Sequence, residues 1–158
     1  MEVTRALKIN LKKLGYELEE KKMGKYLTKI IANDQESLQM ISACIAGAKT
    51  KVDNIKYLAS SKVFLLSIER TKIESDQMNK KINSICRFDF VDKVKSKKID
   101  QGNKEKILNL IGIDYLKNKD DYEINLIFDN NSHIVLTTET IEARLEDQNE
   151  IKQNENIR

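Results

Sequence analysis

Residues 122–148 constrain the fold of this chain most strongly, because two alternating segments follow one another there with a tight turn between them. Every second residue from 122 to 128 is Tyr, Ile, Leu or Phe, which is the period of a half-buried strand. The Asp-Asn-Asn-Ser segment at 129–132 tolerates the positive φ angles of a hairpin turn, and the alternation resumes at 134–136. The pattern predicts an antiparallel hairpin.

Two helices are predicted to cover the sheet. Asn33 and Glu36 stand at the spacing of a capping box and begin a helix with one buried face. Thr138 is predicted to cap a C-terminal helix that carries Ile141 and Leu145 on one side. Each helix would bury its apolar stripe against the sheet.

The segments between these helices alternate with period two. Further strands are predicted at 26–32, 54–58, 62–70, 85–95 and 106–115, with polar loops at 71–81 and 95–106. The strand at 85–95 carries Cys86, Phe88 and Phe90 in alternation and bends near Val91. The order predicts an α+β fold, an antiparallel β-meander of about six to seven strands covered by two helices. Such a curved sheet resembles a pleckstrin-homology-like half-barrel in its strand count.

The two ends of the chain are predicted to lie outside a single α+β domain at residues 23–149. Residues 1–22 hold an apolar stripe from Val3 to Leu18 and are interpreted as an amphipathic helical extension. A mis-assigned start, with Met23 as the true first residue, explains the same segment. Residues 150–158 are rich in Asn, Gln and Glu, which predicts a flexible polar tail.

The composition predicts a folded, cytoplasmic protein. Charged residues make up 34% of the chain and apolar residues 40%, and no apolar run reaches the length of a membrane span. Two isolated cysteines, Cys44 and Cys86, are expected to be buried, reduced thiols. Residues 107–158 hold 5 Lys and Arg against 11 Asp and Glu, a net charge of −6 that argues against a protein wrapped in nucleic acid.

A lysine-rich segment is the one candidate binding site. Lys93, Lys95, Lys97 and Lys98 are predicted to project from one face of a strand, where they would contact phosphate or an anionic lipid headgroup. Lysines on an edge strand that prevent sheet-to-sheet aggregation explain the same pattern. Both interpretations stay open at the level of the sequence.

No motif predicts a catalytic, cofactor or metal site. The Ala-Gly-Ala-Lys-Thr segment at 46–50 lacks the glycines of a phosphate-binding loop and ends a helix instead of opening one. His133, the single histidine, is expected to lie at an exposed strand end without a nucleophile beside it. One histidine and two scattered cysteines do not make a typical zinc site.

Three segments resemble a known family when they are taken together. They are residues 27–44, residues 51–58 with the Phe-Leu-Leu that follows at 64–66, and residues 124–128 with the Ile-Glu-Ala-Arg-Leu-Glu-Asp segment at 141–147. In this order and at this spacing they resemble DUF2948, an alphaproteobacterial family of unknown function, over about residues 25–148. The resemblance implies a bacterial protein and supplies no catalytic residues.

The leading functional hypothesis is a non-enzymatic, uncharacterised binding module that acts as an adaptor for another protein, whose identity the chain does not reveal. Exposed strand edges or the N-terminal helix would be its docking surfaces. The alternative is binding of an anionic surface, nucleic acid or lipid headgroup, through the lysine-rich strand. A third hypothesis is an enzyme whose site is built from loops, for which a pocket lined by Asp, Lys and Tyr side chains would be the sign. No cofactor is predicted.

Overall fold

The computed structural model describes residues 18–20, 26–75 and 80–148. Within them lie eleven strands and one α-helix, in the order β1 (Leu18–Glu20), β2 (Tyr26–Ala32), α1 (Gln35–Ile45), β3 (Lys49–Lys51), β4 (Ile55–Leu58), β5 (Val63–Thr71), β6 (Lys81–Phe88), β7 (Val91–Lys97), β8 (Ile107–Lys117), β9 (Tyr122–Phe128), β10 (His133–Thr138) and β11 (Ala143–Asp147). A single 3₁₀ turn, Val52–Asn54, separates β3 from β4. The α+β class is confirmed, whereas the predicted count of six to seven strands is too low.

The strands form one antiparallel, unclosed sheet. Its order is β1-β2-β11-β6-β5-β3-β8-β9-β10-β7, and β4 pairs with β5 beside this path. The hairpins β4–β5 and β9–β10 were predicted and are confirmed. The sheet is not a simple meander, because β11 lies between β2 and β6 and therefore joins the last part of the domain to the first.

The prediction of a C-terminal helix after Thr138 is wrong, because Ala143–Asp147 forms strand β11. Ile141, Ala143, Leu145 and Asp147 are all buried, so the buried period is two. A spacing of four between Ile141 and Leu145 suits a helix and a strand equally well. Strands β2 and β6 provide a hydrogen-bonding edge on each side of the segment, and this decides in favour of the strand. Among the described residues one α-helix, rather than the predicted two, covers the sheet.

Helix α1 is confirmed, but it begins one residue later than the capping box predicted. Asp34 is the N-cap and accepts a hydrogen bond of 2.8 Å from the backbone N–H of Ser37. The Ser37 hydroxyl in turn accepts from the N–H of Asp34, so Ser37 fills the place predicted for Glu36. Gly47 follows the helix with a φ of +85°, where a residue with a side chain would be strained.

The inner faces of all the long strands and of α1 bury one continuous core. Ile41 of α1, Leu66 of β5, Cys86 of β6, Leu126 of β9 and Leu145 of β11 have no exposed surface, and all belong to a single cluster. One sheet can enclose such a core only by folding around it. α1 packs mainly against β2 and β8, where it closes one side of the fold.

Three further predictions differ from the structure or fall outside it. Leu18–Glu20 is a strand paired with β2, so the predicted helical stripe does not continue through Leu18. Phe90 leaves the predicted alternation with a φ of 58° and is 44% exposed, because the chain turns there between β6 and β7. The predicted N-terminal helix up to residue 17, Met23 and the tail at 150–158 lie outside the described residues.

Candidate functional site

The predicted lysine site lies on β7, at the far end of the sheet. Lys93, Lys95 and Lys97 are exposed on alternate positions of this strand, opposite Thr137, Val135 and His133 of β10. Lys98 follows the strand with a φ of 58° and leaves the row. Three of the four predicted side chains therefore share one face. Among the described residues β7 pairs only with β10, so the row stands on an edge strand.

In the described part of the fold β4 pairs only with β5, and residues of β4 and β7 line a cavity of about 290 Å³, which we call the β4–β7 cleft. Apolar side chains form its floor, namely Ile55, Phe64, Val94, Ile99 and Ile134. At the start of β7 the backbone N–H of Val91 donates to the carbonyl of Lys62, over 2.9 Å. There the hydroxyl of Tyr57 also donates to the carbonyl of Val91, over 2.8 Å.

The rim of the β4–β7 cleft carries Asp53, Lys56, Tyr57 and Lys104, the residue types expected of a loop-built enzyme site. Asp53 and Lys56 form an exposed ion pair of 3.8 Å, and the Tyr57 hydroxyl is engaged with the backbone. In the described part of the chain these groups do not form the hydrogen-bonded pair of nucleophile and base that catalysis requires. The cleft therefore has the concave, apolar lining of a binding site rather than the paired side chains of an active site.

A second concave surface lies on the outer face of the sheet, along β6. Two adjoining cavities of about 580 and 200 Å³ share Ile85 and Gln148 and form one groove, which we call the β6 groove. Its floor follows the outward side chains of β6, which are Lys81, Asn83, Ile85 and Arg87. No local sequence pattern predicts this groove, because its residues come from β3, β5, β6, β8 and β11.

Two arginines lie side by side at one end of the β6 groove. Arg144 of β11 is directly opposite Arg87 of β6, and the next residues in the same row are Ile31 and Leu65. Arg87 contacts Asp89 at 2.9 Å, and Arg144 contacts Glu146 at 3.5 Å. The Nε atom of Arg144 is buried and has no hydrogen-bond acceptor among the described residues.

Four charged side chains are buried together on the inner side of the sheet. Arg70 and Glu74 have fully buried side chains and are joined by two hydrogen bonds, one of 3.0 Å. Arg70 also donates to Asp147 over 2.9 Å, and the Lys72 amine lies 3.1 Å from the other oxygen of that carboxylate. The hydroxyl of Ser84, itself buried, donates to Asp147 over 2.7 Å. We call Arg70, Lys72, Glu74 and Asp147 the buried charge cluster.

The buried charge cluster contains two positive and two negative groups, so its charges sum to zero. Burial by itself would raise the pKa of Asp147, but Arg70, the Ser84 hydroxyl, the N–H of Thr28 and Lys72 outweigh it and hold that pKa below its ordinary value of 3.8. Burial lowers the pKa of Lys72 against the attraction of Asp147 and Glu74. For Arg70 the carboxylates outweigh burial and the pKa is raised, so the guanidinium stays charged.

The buried charge cluster has a signal in the sequence, although it was missed. Phe64, Leu66 and Ile68 face the core at every second position, and Arg70, Lys72 and Glu74 continue the same period. A charged residue at an inward position predicts a buried partner of opposite sign. Its partner Asp147 is 77 residues away from Arg70 along the chain, and only the pairing of β11 with β6 brings it near.

In the described part of the chain the single histidine and the two cysteines do not form a catalytic or metal site. His133 is half-buried at the first position of β10, opposite Lys97 and Ile127. Within the described ranges no group of three His, Cys, Asp or Glu residues could hold a metal ion. Cys44 and Cys86 are buried and unpaired, as predicted, and burial raises the pKa of each thiol to about 12.

The described residues contain no helix that is both long and apolar enough to cross a membrane. Comparison with curated proteins and with solved structures gives no match for this chain. A family model does match, over residues 28–156, and so covers most of the sequence. On that match the chain belongs to DUF2948, a family described as proteins of unknown function.

Proposed function

We propose that this protein is a non-enzymatic binding module of the cytoplasm that docks an acidic, extended segment of another protein along the open edge of β7. One observation carries the proposal. β7 is seven residues long, pairs only with β10 in the described part of the fold, and bears the exposed row of Lys93, Lys95 and Lys97.

The backbone of an edge strand supplies affinity when a partner adds a further strand to the sheet. Val91 is already bonded to Lys62 and Tyr57, so the stretch offered to a partner is residues 92–97. At a rise of about 3.3 Å per residue this stretch is roughly 20 Å long. Most strands in globular proteins have a similar length.

The side chains of β7 determine which residue types a partner strand would need at alternate positions. An added strand places alternate side chains on opposite faces of the sheet. On the outer face these side chains would meet Lys93, Lys95 and Lys97, which favour Glu or Asp opposite them. On the inner face they would meet the apolar floor of the β4–β7 cleft, which Val94 borders. We therefore expect a partner segment in which acidic and apolar residues alternate.

Lysines on an edge strand also discourage pairing between sheets. That explanation and the proposed function differ in what they predict for an acidic strand. A protective row repels sheets in general through its positive charge and its long, mobile side chains. If the row binds a partner, the lysines instead attract a segment of opposite charge, and their side chains become ordered when it binds.

The test uses a fluorescein-labelled peptide of six residues that alternates Glu and Val, titrated with the full chain and followed by fluorescence anisotropy. We expect saturable binding that weakens as salt is added, because exposed charges are screened. The variant K93Q/K95Q/K97Q should bind at least about 10-fold more weakly, since each ion pair contributes up to about 1 kcal/mol. The control K29Q/K49Q/K119Q removes three exposed lysines elsewhere and should bind as the wild type does.

A block peptide with three Glu followed by three Val has the same composition and separates strand addition from simple charge attraction. Equal binding of both peptides would refute docking in register. Tighter, steeply salt-dependent binding to vesicles that contain phosphatidylserine, or to duplex DNA, would replace the protein partner by an anionic surface. Absence of binding to every probe would leave the lysines with their protective role alone and refute the proposal.

A further inference from the structure

We propose that Arg87 and Arg144 bind the phosphate group of a hydroxyl-rich small molecule whose body lies in the β6 groove. The groove is on the outer face of β5, β6 and β11, whereas the open edge of β7 belongs to the other end of the sheet. The inference therefore stands independently of the docking function.

The pairing of Arg87 with Arg144 places two like charges opposite each other, and each is balanced by a single partly exposed ion pair, with Asp89 and with Glu146. The two residues are directly opposite each other in an antiparallel pair, where Cβ atoms lie about 4.5–5.5 Å apart and like charges destabilise the sheet. Their outer neighbours in the row, Ile31 and Leu65, are apolar and offer no compensating charge. An outward position tolerates almost any polar residue, so folding does not require two arginines here.

The carboxylates near the two arginines leave donors available. Asp89, just after the end of β6, engages Arg87, and Glu146 of β11 engages Arg144, each from two residues further along the chain. A guanidinium has five N–H donors, so one carboxylate does not saturate it. Both side chains are partly exposed, at 42% for Arg87 and 37% for Arg144. The buried Nε of Arg144 has no acceptor in the residues that the structure describes.

Two guanidinium groups in one row suit a tetrahedral oxyanion better than a carboxylate. A carboxylate has two oxygens and is satisfied by a single bidentate arginine. A terminal phosphate group has three oxygens and close to two negative charges near neutral pH, so it can accept from both arginines at once. Arginine is also the side chain that matches phosphate geometry best.

The polar lining of the rest of the β6 groove suits a hydroxyl-rich body. Asn83, Gln148 and Ser67 offer amide and hydroxyl groups, and the charged side chains of Lys49, Lys51, Glu69 and Lys81 lie further along. The two cavities together fall within the range of about 300–1,000 Å³ that small-molecule sites occupy. No aromatic side chain is among the described residues that line the groove, so a nucleobase has no ring to stack on. A sugar phosphate has the required chemistry.

The test follows thermal unfolding and calorimetric titration of the full chain with ribose 5-phosphate, with pyrophosphate and with ribose. We expect both phosphorylated probes to raise the midpoint of unfolding by at least about 3 °C at saturation, and ribose to leave it unchanged. R87Q and R144Q should each weaken binding at least about 10-fold. The triple variant K93Q/K95Q/K97Q, which alters the β7 edge, should bind the probes as the wild type does.

The stability of the free variants separates a binding role from a structural one. If the arginines repel each other, R144Q without ligand should unfold at the same temperature as the wild type or at a higher one. A lower midpoint together with unchanged phosphate binding would overturn the proposal, and so would a wild type that binds neither phosphorylated probe. If K93Q/K95Q/K97Q loses phosphate binding while R87Q keeps it, the anion binds on β7. That result would also refute the assignment.

Discussion

Replacing Arg70 by methionine is expected to destabilise the fold by about 3–5 kcal/mol, the range measured when one partner of a buried ion pair is removed. Methionine has a similar length but donates no hydrogen bond. The side chains of Glu74 and Asp147 stay fully buried, and Lys72 is then the one cation of the cluster that faces them. The three remaining charges of the buried charge cluster then sum to −1.

The size of the loss follows from what Arg70 contacts. Its guanidinium donates to both oxygens of Glu74, to Asp147, to the Ser84 hydroxyl and to the carbonyl of Cys44. Hydrogen bonds that involve charged groups contribute about 1.5–3 kcal/mol each, and they are not additive. Because small domains are stable by only about 5–15 kcal/mol, R70M should be partly unfolded in mild urea.

A double-mutant cycle tests whether charge balance is the cause. E74L alone leaves a buried net charge of +1, and R70M/E74L leaves the neutral pair of Lys72 and Asp147, joined at 3.1 Å. The double variant should therefore be more stable than the sum of the two single losses predicts, by at least about 2 kcal/mol. Free energies of unfolding from urea titrations give all four values, with E69Q as a control at the exposed neighbouring position. A loss below about 1 kcal/mol in R70M, or additive losses in the cycle, would refute this reasoning.

Two further predictions concern acid and thiol chemistry. Because the pKa of Asp147 is lowered in the folded protein, its stabilisation is complete above about pH 4 and is lost as the pH falls through the folded pKa. Asp34 and Asp129 are shifted in the same direction, so D147N should make the acid dependence of the unfolding free energy less steep without abolishing it, and an unchanged slope would count against the cluster. Cys44 and Cys86 should react with a chromogenic disulfide reagent at pH 8 only after unfolding, since both are buried and their pKa values are about 12; reaction within minutes in the native protein would contradict this.

Local patterns predicted the hairpins and helix α1 because their causes lie within a few residues. The period of two in β9 and β10 and the turn at 129–132 placed that hairpin correctly. Asn130 and Asn131 indeed have φ angles of 58° and 59°, which asparagine tolerates better than most residues. The helix after residue 34 followed from its cap and its apolar stripe. The lysine row on β7 followed from the same period of two.

The candidate sites were predictable only in part, because each depends on which strands become neighbours. The row on β7 needs one strand, and three of the four predicted lysines lie in it. Arg87 and Arg144 are 57 positions apart in the sequence, and the pairing of β6 with β11 makes them adjacent. Asp147 meets Arg70 for the same reason, and no local pattern connects the two.

The amino-acid sequence by itself determined the α+β class, the period of two in most strands, the presence of helix α1 and most of the buried apolar positions, since these follow from side-chain chemistry over a few neighbouring residues. The tertiary structure alone decided the order of the strands and the identity of β11 as a strand. It also decided the assembly of the buried charge cluster and of the pair formed by Arg87 and Arg144. Ile141 and Leu145 fit the stripe of a helix and the buried face of a strand alike. Backbone hydrogen bonds to β2 and β6 stabilise the strand. Such bonds depend on partners that are distant in the chain.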